Sequence, residues 1–265
     1  MSRLLSPALT GAIKYEFQMA ARRKVVWLAV LPLLAIGLLF QILSPASADL
    51  HTAAARVGAW SLTMNLLVVV GLGVALADRF AGTTRRGLHE LLLATPSSLA
   101  ARMLGSLAGS LAAALAPVAV TMVVVGVVLT FTSGDVTTLG WAVIAFCTVT
   151  VPSALLLTTF AATLGLVLPM AVVRVIAVGT WFWATLFSTS IVPIPTVTGT
   201  LLSPLGDYVA GGWLHTPTLW AGEGAFAAPA PSSSSSSTAA VNLLLVVGMS
   251  AVLFTASCAL ARRRL

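Results

Sequence analysis

Residues Leu104–Phe131 read LGSLAGSLAAALAPVAVTMVVVGVVLTF, 28 residues without one charged side chain. A helix needs about 20 residues, rising 1.5 Å each, to cross the hydrocarbon core of a bilayer. This block is long enough, with residues over to tilt or protrude. Five further apolar blocks flank it, at about Val25–Leu43, Val57–Ala77, Leu139–Leu168, Val175–Ile191 and Ala240–Ala261. The fourth block in chain order, 139–168, is also longer than a crossing requires. Of 265 residues, 58% are hydrophobic and 8% charged, and the mean hydropathy is +1.04. Soluble domains carry about a quarter charged residues. The sequence therefore predicts an all-α integral membrane protein with six transmembrane helices, with Pro117 and Pro152 as kink sites inside two of them.

The basic residues set the orientation. Arg3, Lys14, Arg22, Arg23 and Lys24 precede the first block, and Arg79, Arg85, Arg86 and Arg102 lie between the second and third. Arg174 lies between the fourth and fifth, and Arg262, Arg263 and Arg264 follow the sixth. Six crossings put these 13 of 14 basic residues on one side, with Arg56 alone opposite. An excess of Lys and Arg marks the cytoplasmic side, so both termini are expected in the cytoplasm of a multi-pass plasma-membrane protein. The net charge of +7 sits beside the apolar blocks instead of forming a basic face with interleaved aromatics. The lipid bilayer, not nucleic acid, is the expected partner.

Residues 1–24 are too polar to cross. Ser6 caps a helix with Pro7 at its first position. Leu9, Ile13 and Phe17 then recur on one face, with Lys14, Gln18 and Arg22 elsewhere, as in an interfacial helix. Ala46-Ser47-Ala48 before Asp49 has the form of a signal-peptide cleavage site. The preceding run of 19 residues exceeds the roughly 7–15 of a signal core, so retention is expected. Residues 192–239 form the longest outer loop. Its first part is expected to hold short re-entrant helices before the last span, with Trp213 and Trp220 at headgroup level. Its second part, Ala221–Thr238 with Pro229, Pro231 and the serines from Ser232 to Ser237, reads as a flexible tether. Cys147 and Cys258 fall at depths differing by about 15 Å, so they are not expected to bridge.

Chemistry is sparse. His51, His89 and His215 sit in different loops, and no Asp or Glu falls within a predicted span. Ion-coupled carriers keep such groups at mid-membrane, and membrane-embedded enzymes need clustered catalytic groups. The only lysines, Lys14 and Lys24, follow no GxxxxG pattern, so no phosphate-binding loop is present. No catalytic, metal or cofactor site is expected on this chain.

The segment Asp78–Ser110, DRFAGTTRRGLHELLLATPSSLAARMLGSLAGS, carries the remaining information. A helical stretch Leu88–Ala94 breaks at Thr95-Pro96, and a second run leads into the third span. Leu88, Leu91 and Leu92 can face lipid or protein while His89 and Glu90 face water; an ordinary solvated loop is the alternative. Gly105 and Gly109 form a small-xxx-small pair suited to close packing. The segment resembles the corresponding part of ABC-2 type transporter permeases, the membrane subunits of ATP-binding cassette exporters. The matching residues are Asp78-Arg79, Gly87, Glu90-Leu91-Leu92, Pro96 and Gly105, while Ser106 departs from the basic residue often found there.

The resemblance implies that 78–103 is a coupling segment resting in a groove of a separate nucleotide-binding ATPase subunit. Arg79, Arg85, Arg86, His89 and Glu90 would make the contacts, with Leu91 and Leu92 buried. It further implies a second permease copy, as homodimer or related heterodimer, and Mg-ATP bound by the partner. Substrate would pass along spans two and five, which carry Ser61 and Asn65, and Trp181, Thr185 and Ser188. Such stripes more often hydrogen-bond between helices than line a path. Their lack of charge suits an amphipathic or hydrophobic cargo such as a drug, antibiotic or lipid-like molecule. The alternatives are a membrane anchor or sensor subunit without transport, or a membrane-embedded enzyme.

Single cysteines at Ser97 and Ser235, in a background lacking Cys147 and Cys258, should react from opposite faces of intact cells. Ser235 should be the one reached from outside. Labelling of both from one side would refute the six-span topology.

Overall fold

The computed structural model describes residues 7–44, 50–81, 98–188, 191–192, 194–224 and 229–263, and these contain helices, turns and irregular backbone but no strand. The helices are α1 (Pro7–Ala21), α2 (Lys24–Leu43), α3 (Ala53–Leu76), α4 (Leu99–Ser133), α5 (Thr138–Val167), α6 (Met170–Thr185), α7 (Asp207–Leu214) and α8 (Ser236–Arg263). Five of them, α2, α3, α4, α5 and α8, are long and apolar enough to cross a membrane. The sixth apolar helix, α6, has 16 residues, or about 24 Å. It begins and ends earlier than the expected 175–191 span, so Arg174 lies in its second turn, exposed to the surroundings.

Helix starts follow local capping chemistry. The Thr52 hydroxyl accepts the Ala55 amide at 3.2 Å, and the Ser98 hydroxyl accepts the Ala101 amide at 3.2 Å. Each satisfies a donor that the first turn leaves open. α4 ends at Gly134, whose φ of +70° lets its amide bond back to Thr130, as a left-handed C-cap requires. α4 runs unbroken through Pro117. Pro152 is handled differently. It follows a π-turn, Phe146–Thr150, in which the Val151 amide reaches Phe146. The wider turn relieves the clash of a proline ring with the carbonyl four residues back.

The six apolar helices alternate in direction. One end of the bundle carries α1, the C-termini of α3, α5 and α8 and the N-termini of α2, α4 and α6; α7 sits at the other. α3 is central, with 61% of its apolar window buried against 17% for α8. Val68, Leu72 and Leu76 of α3 form the main core with Val30 of α2, Leu115 of α4, Leu157 of α5 and Trp181 of α6. Apolar burial adds little between helices surrounded by lipid, so close packing and internal hydrogen bonds must hold such a bundle. At Gly71 of α3 the backbone of α2 comes so near that a Cβ would strike the Ala29 carbonyl.

α1 uses the same device. Gly105 and Gly109 of α4 receive it: a Cβ on Gly105 would lie 2.7 Å from the Ala12 methyl, and one on Gly109 would strike the Ile13 carbonyl. The seated stripe is Leu9, Ala12, Ile13, Glu16 and Ala20. Phe17, expected on the apolar face, is 40% exposed, and Tyr15 beside it 60%. α1 is thus held by α4 along one side and leaves aromatics uncovered on another. The Trp27 indole donates to the Ala21 carbonyl at 2.7 Å, closing the corner into α2.

Between α6 and α8 the chain folds back over the bundle. A short helix, α7, occupies part of this stretch, and Trp213 and Trp220 pack against a second buried cluster that includes Val57, Leu205 and Leu214. The described part of the expected serine tether makes contacts with the rest of the fold. Pro231 accepts a bond from the Tyr208 hydroxyl at 2.8 Å, Ser232 and Ser234 lie against Gly222 and Gly211, and Ser236 already begins α8. Ser235 and Thr238 exchange amide-to-hydroxyl bonds of 2.7 and 3.3 Å, a reciprocal cap that makes part of the run a helix start. Cys147 is exposed and Cys258 buried, and both are free.

Gly109→Val should push α1 off α4 at an overpacking cost of about 1–3 kcal/mol, read as a lower melting temperature in detergent and faster proteolysis of α1. Gly140→Val, where a side chain meets open space, is the control. Equal behaviour of the two variants would refute the seating.

Candidate functional site

At the α1 end, four charged residues form a chain. Arg79 donates through Nη1 to Glu16 of α1 at 3.3 Å, and its Nε lies 3.9 Å from Asp78. Asp78 in turn pairs with Arg23, from the α1–α2 corner, at 3.0 Å. The Arg79 side chain is 3% exposed. Burial first, and the Arg23 charge second, pull its guanidinium below the ordinary range, while Asp78 and Glu16 oppose them. Its Nε and Nη2 have no hydrogen-bond partner among the described residues. Removing one member of a buried ion pair costs about 3–5 kcal/mol, because the other charge is left unpaired. Arg79, expected to touch a partner, is therefore held inside its own chain.

This chain of charges lies where the described residues lead up to 82–97. On one side of it Phe80 is buried and meets Phe254 of α8 edge-on, with centroids 6.3 Å apart. On the other side Ser98 caps α4, whose first turns carry the glycines that seat α1. α1 thus braces both flanks. Arg85, Arg86, His89, Glu90, Leu91 and Leu92 lie outside the described residues.

Part of the polar stripe is tied to α3. Ser61, Asn65, Trp181, Thr185 and Ser188 are all buried. The Trp181 indole donates to the Leu66 carbonyl at 2.8 Å, tying α6 to α3. The Thr185 hydroxyl donates to Trp181 at 2.7 Å and the Ser61 hydroxyl to Gly58 at 2.8 Å. Asn65 makes the long-range connection: its amide donates to the Ser153 hydroxyl at 2.9 Å and to the Leu205 carbonyl at 2.6 Å. Asn242 of α8 repeats the device on the Leu201 and Ser203 carbonyls, at 2.9 and 3.0 Å. Sequence reasoning passed over Ser153 and Asn242. A lone amide inside an apolar run was the available sign for Asn242, because an unpaired one would be costly there.

Asp207 was also missed. It opens α7 and accepts the Leu219 and Trp220 amides at 2.9 and 3.0 Å, stitching the two arms of the folded-back stretch. Its residue is 1% exposed. Burial raises its pKa above the usual 3.8, against the lowering effect of the backbone bonds.

Beside this stretch, α5, α6 and α8 enclose a cleft of about 520 Å³, floored by Leu157 and Phe160 and walled by Trp181, Ala184, Gly248 and Val252. No group of three or more His, Cys, Asp or Glu side chains able to hold a metal occurs among the described residues. The chain matches no protein-family model, no curated protein and no solved structure.

The Asp207 shift has a sign. Below 3.8 both folded and unfolded chains hold the proton; as pH rises the unfolded chain ionises first, so relative stability falls until Asp207 itself ionises. Wild-type protein should therefore resist proteolysis at residues 207–224 better near about pH 4 than at about pH 7. Asp207→Asn should flatten that slope, whatever it does to absolute stability. A slope unchanged in the variant would acquit Asp207.

Proposed function

We propose that this chain is the permease subunit of an ATP-driven ABC-2 type exporter. Six crossings would place both termini in the cytoplasm, with α6 completing the set and α7 forming a re-entrant element on the outer face of the plasma membrane. ATP would be bound and hydrolysed with Mg²⁺ by a separate subunit, and a second permease copy would complete the assembly. The cargo would be amphipathic or hydrophobic, since the buried stripe carries no charge.

The observation that best supports this reading is the bracing of both flanks of 82–97 by α1. A segment that receives a push from an ATPase transmits it only if its two ends are stiffly attached to the helices that must move. The Glu16–Arg79 pair supplies one attachment, to the foot of α3, and the glycine seat supplies the other, to the first turns of α4. Docking would then combine rim charge from Arg85 and Arg86 with burial of Leu91 and Leu92.

A second reading, an anchor or sensor subunit without transport, is favoured by one observation. All five stripe residues are buried, and Ser61, Asn65, Trp181 and Thr185 make side-chain hydrogen bonds within the chain. Such bonds are sufficient for a structural role.

Arg85→Ala with Arg86→Ala should weaken ATPase co-purification and make it more sensitive to salt. Leu91→Asp, by burying an uncompensated charge, should cost about 2 kcal/mol or more, roughly thirty-fold in affinity. Co-purification and ATPase activity unchanged by Leu91→Asp, in a correctly inserted protein, would refute the docking. ATP hydrolysis without cargo flux in sealed vesicles would select the anchor reading.

A further inference from the structure

We propose that the middle of the bundle holds a site for one small monovalent cation, built from Asn65, Thr150, Ser153 and the carbonyls of Pro204 and Leu205. The inference rests on the membrane-spanning character of α3 and α5 and not on the exporter reading.

Asn65 stands 12 residues after Ala53 and 11 before Leu76 in α3, and Ser153 stands 15 after Thr138 and 14 before Val167 in α5. Each is therefore about 16–23 Å from both ends of its helix, at the midpoint of a helix long enough to cross. Asn65 and Ser153 are hydrogen-bonded to each other and to Leu205 and Pro204. The folded-back stretch thus reaches mid-membrane at these two residues. From there α7 climbs back: Leu214 comes against Gly58, which is about 10 Å nearer the start of α3 than Asn65. Irregular backbone at such depth must be buried in protein or line a polar site.

This cluster has more acceptors than protons. The Asn65 amide donates one N–H to the Ser153 hydroxyl at 2.9 Å and the other to the Leu205 carbonyl at 2.6 Å. The Ser153 hydroxyl has one proton for two carbonyls, Val149 at 2.7 Å and Pro204 at 2.5 Å. Neither the Pro204 nor the Leu205 carbonyl accepts a backbone amide among the described residues. Asn65 Oδ1 and the Thr150 hydroxyl, both fully buried, have no partner there either. Thr150 is an exception on its helix, since Thr148, Thr158, Thr159 and Thr163 each donate to the carbonyl four residues back. The carbonyl that Thr150 would use, Phe146, takes the Val151 amide at the π-turn. Thr150 and Ser153 are one turn apart, so their side chains are neighbours on the helix.

A ligand that satisfies such a set must bring positive charge. Carbonyls of unwound backbone near the bilayer midplane suit small cations in transporters and channels. The oxygens are all neutral, and α3 and α5 contain no Asp or Glu, which selects a monovalent ion; Ca²⁺ and Mg²⁺ sites are built with carboxylates. An anion would find too few donors. Sequence could not show this set, because two of its oxygens come from backbone whose depth only tertiary contact fixes.

Thr150→Val provides the test, because it removes an oxygen that bonds nothing within the described chain. The purified full chain is unfolded by heat in NaCl, KCl or choline chloride at equal ionic strength. Na⁺ or K⁺ should raise the melting temperature saturably, by about 5 °C at roughly a hundred-fold excess over Kd. Choline, too large for the site, should not. Thr150→Val should raise the half-saturating concentration about ten-fold and leave the melting temperature in choline unchanged. Asn65→Asp, which turns the unpartnered oxygen into a carboxylate, should lower that concentration about ten-fold. Melting temperatures that respond alike to all three salts would overturn the proposal. So would a Na⁺ or K⁺ response that neither variant shifts. None of these readouts depends on ATP, so failure of the exporter reading leaves the test intact.

Discussion

The seat of α1 on the two glycines of α4 organises one whole end of the molecule. Without side chains at Gly105 and Gly109 the two backbones approach to contact, which places Glu16 over the foot of α3. There it reaches Arg79, whose guanidinium would otherwise be buried beside Arg23 with Asp78 as its only acidic neighbour among the described residues. Steric fit and charge pairing therefore depend on each other. Widening the seat would remove the partner of a buried cation, and losing the cation would remove one of the contacts that hold α1.

The other end adds side-chain amides and the Asp207 carboxylate to close backbone contact such as that of Gly212 with Ser235. Asn65, Ser153 and Asn242 reach irregular carbonyls of the folded-back stretch, and Asp207 ties its arms together. The logic is that of a solvent without hydrogen bonds. Backbone that is neither helix nor sheet can lie against membrane helices only if those helices supply donors and acceptors. Polar side chains that might have lined a path are, in this chain, also the residues that allow the irregular stretch to be there.

Between these ends α6 is short, and its shortness has consequences. It stops at Thr185, leaving the described residues of 194–206 to lie over the bundle, and it stands apart from α8 across α5. The same departure from a regular six-helix bundle produces the folded-back element and the cleft. Both are outcomes of how far one helix runs.

Much of this architecture was readable from sequence because apolar run length and the placement of Arg and Lys report directly on crossing a bilayer. The helix pattern, the N-terminal helix and the small-residue pair on α4 all follow from local residue order. Partners could not be read that way. Gly105 and Gly109 announce a close neighbour but not that it is α1. Phe17 belongs to the apolar face expected of an interfacial helix, whereas the seat on α4 takes a stripe of smaller residues and Glu16 and leaves it exposed. Arg79 reads from sequence as a contact to a partner, and nothing in its own segment announces that Glu16 of α1 pairs with it. The serine run has the composition of a tether, and nothing in that composition announces its contacts with Gly211 and Gly222. Sequence alone determined which segments are apolar enough to cross, because that depends on each segment's own composition. Tertiary structure alone decided which polar groups are bonded inside the chain, because a hydrogen bond depends on what another segment, distant in sequence, brings to within about 3 Å.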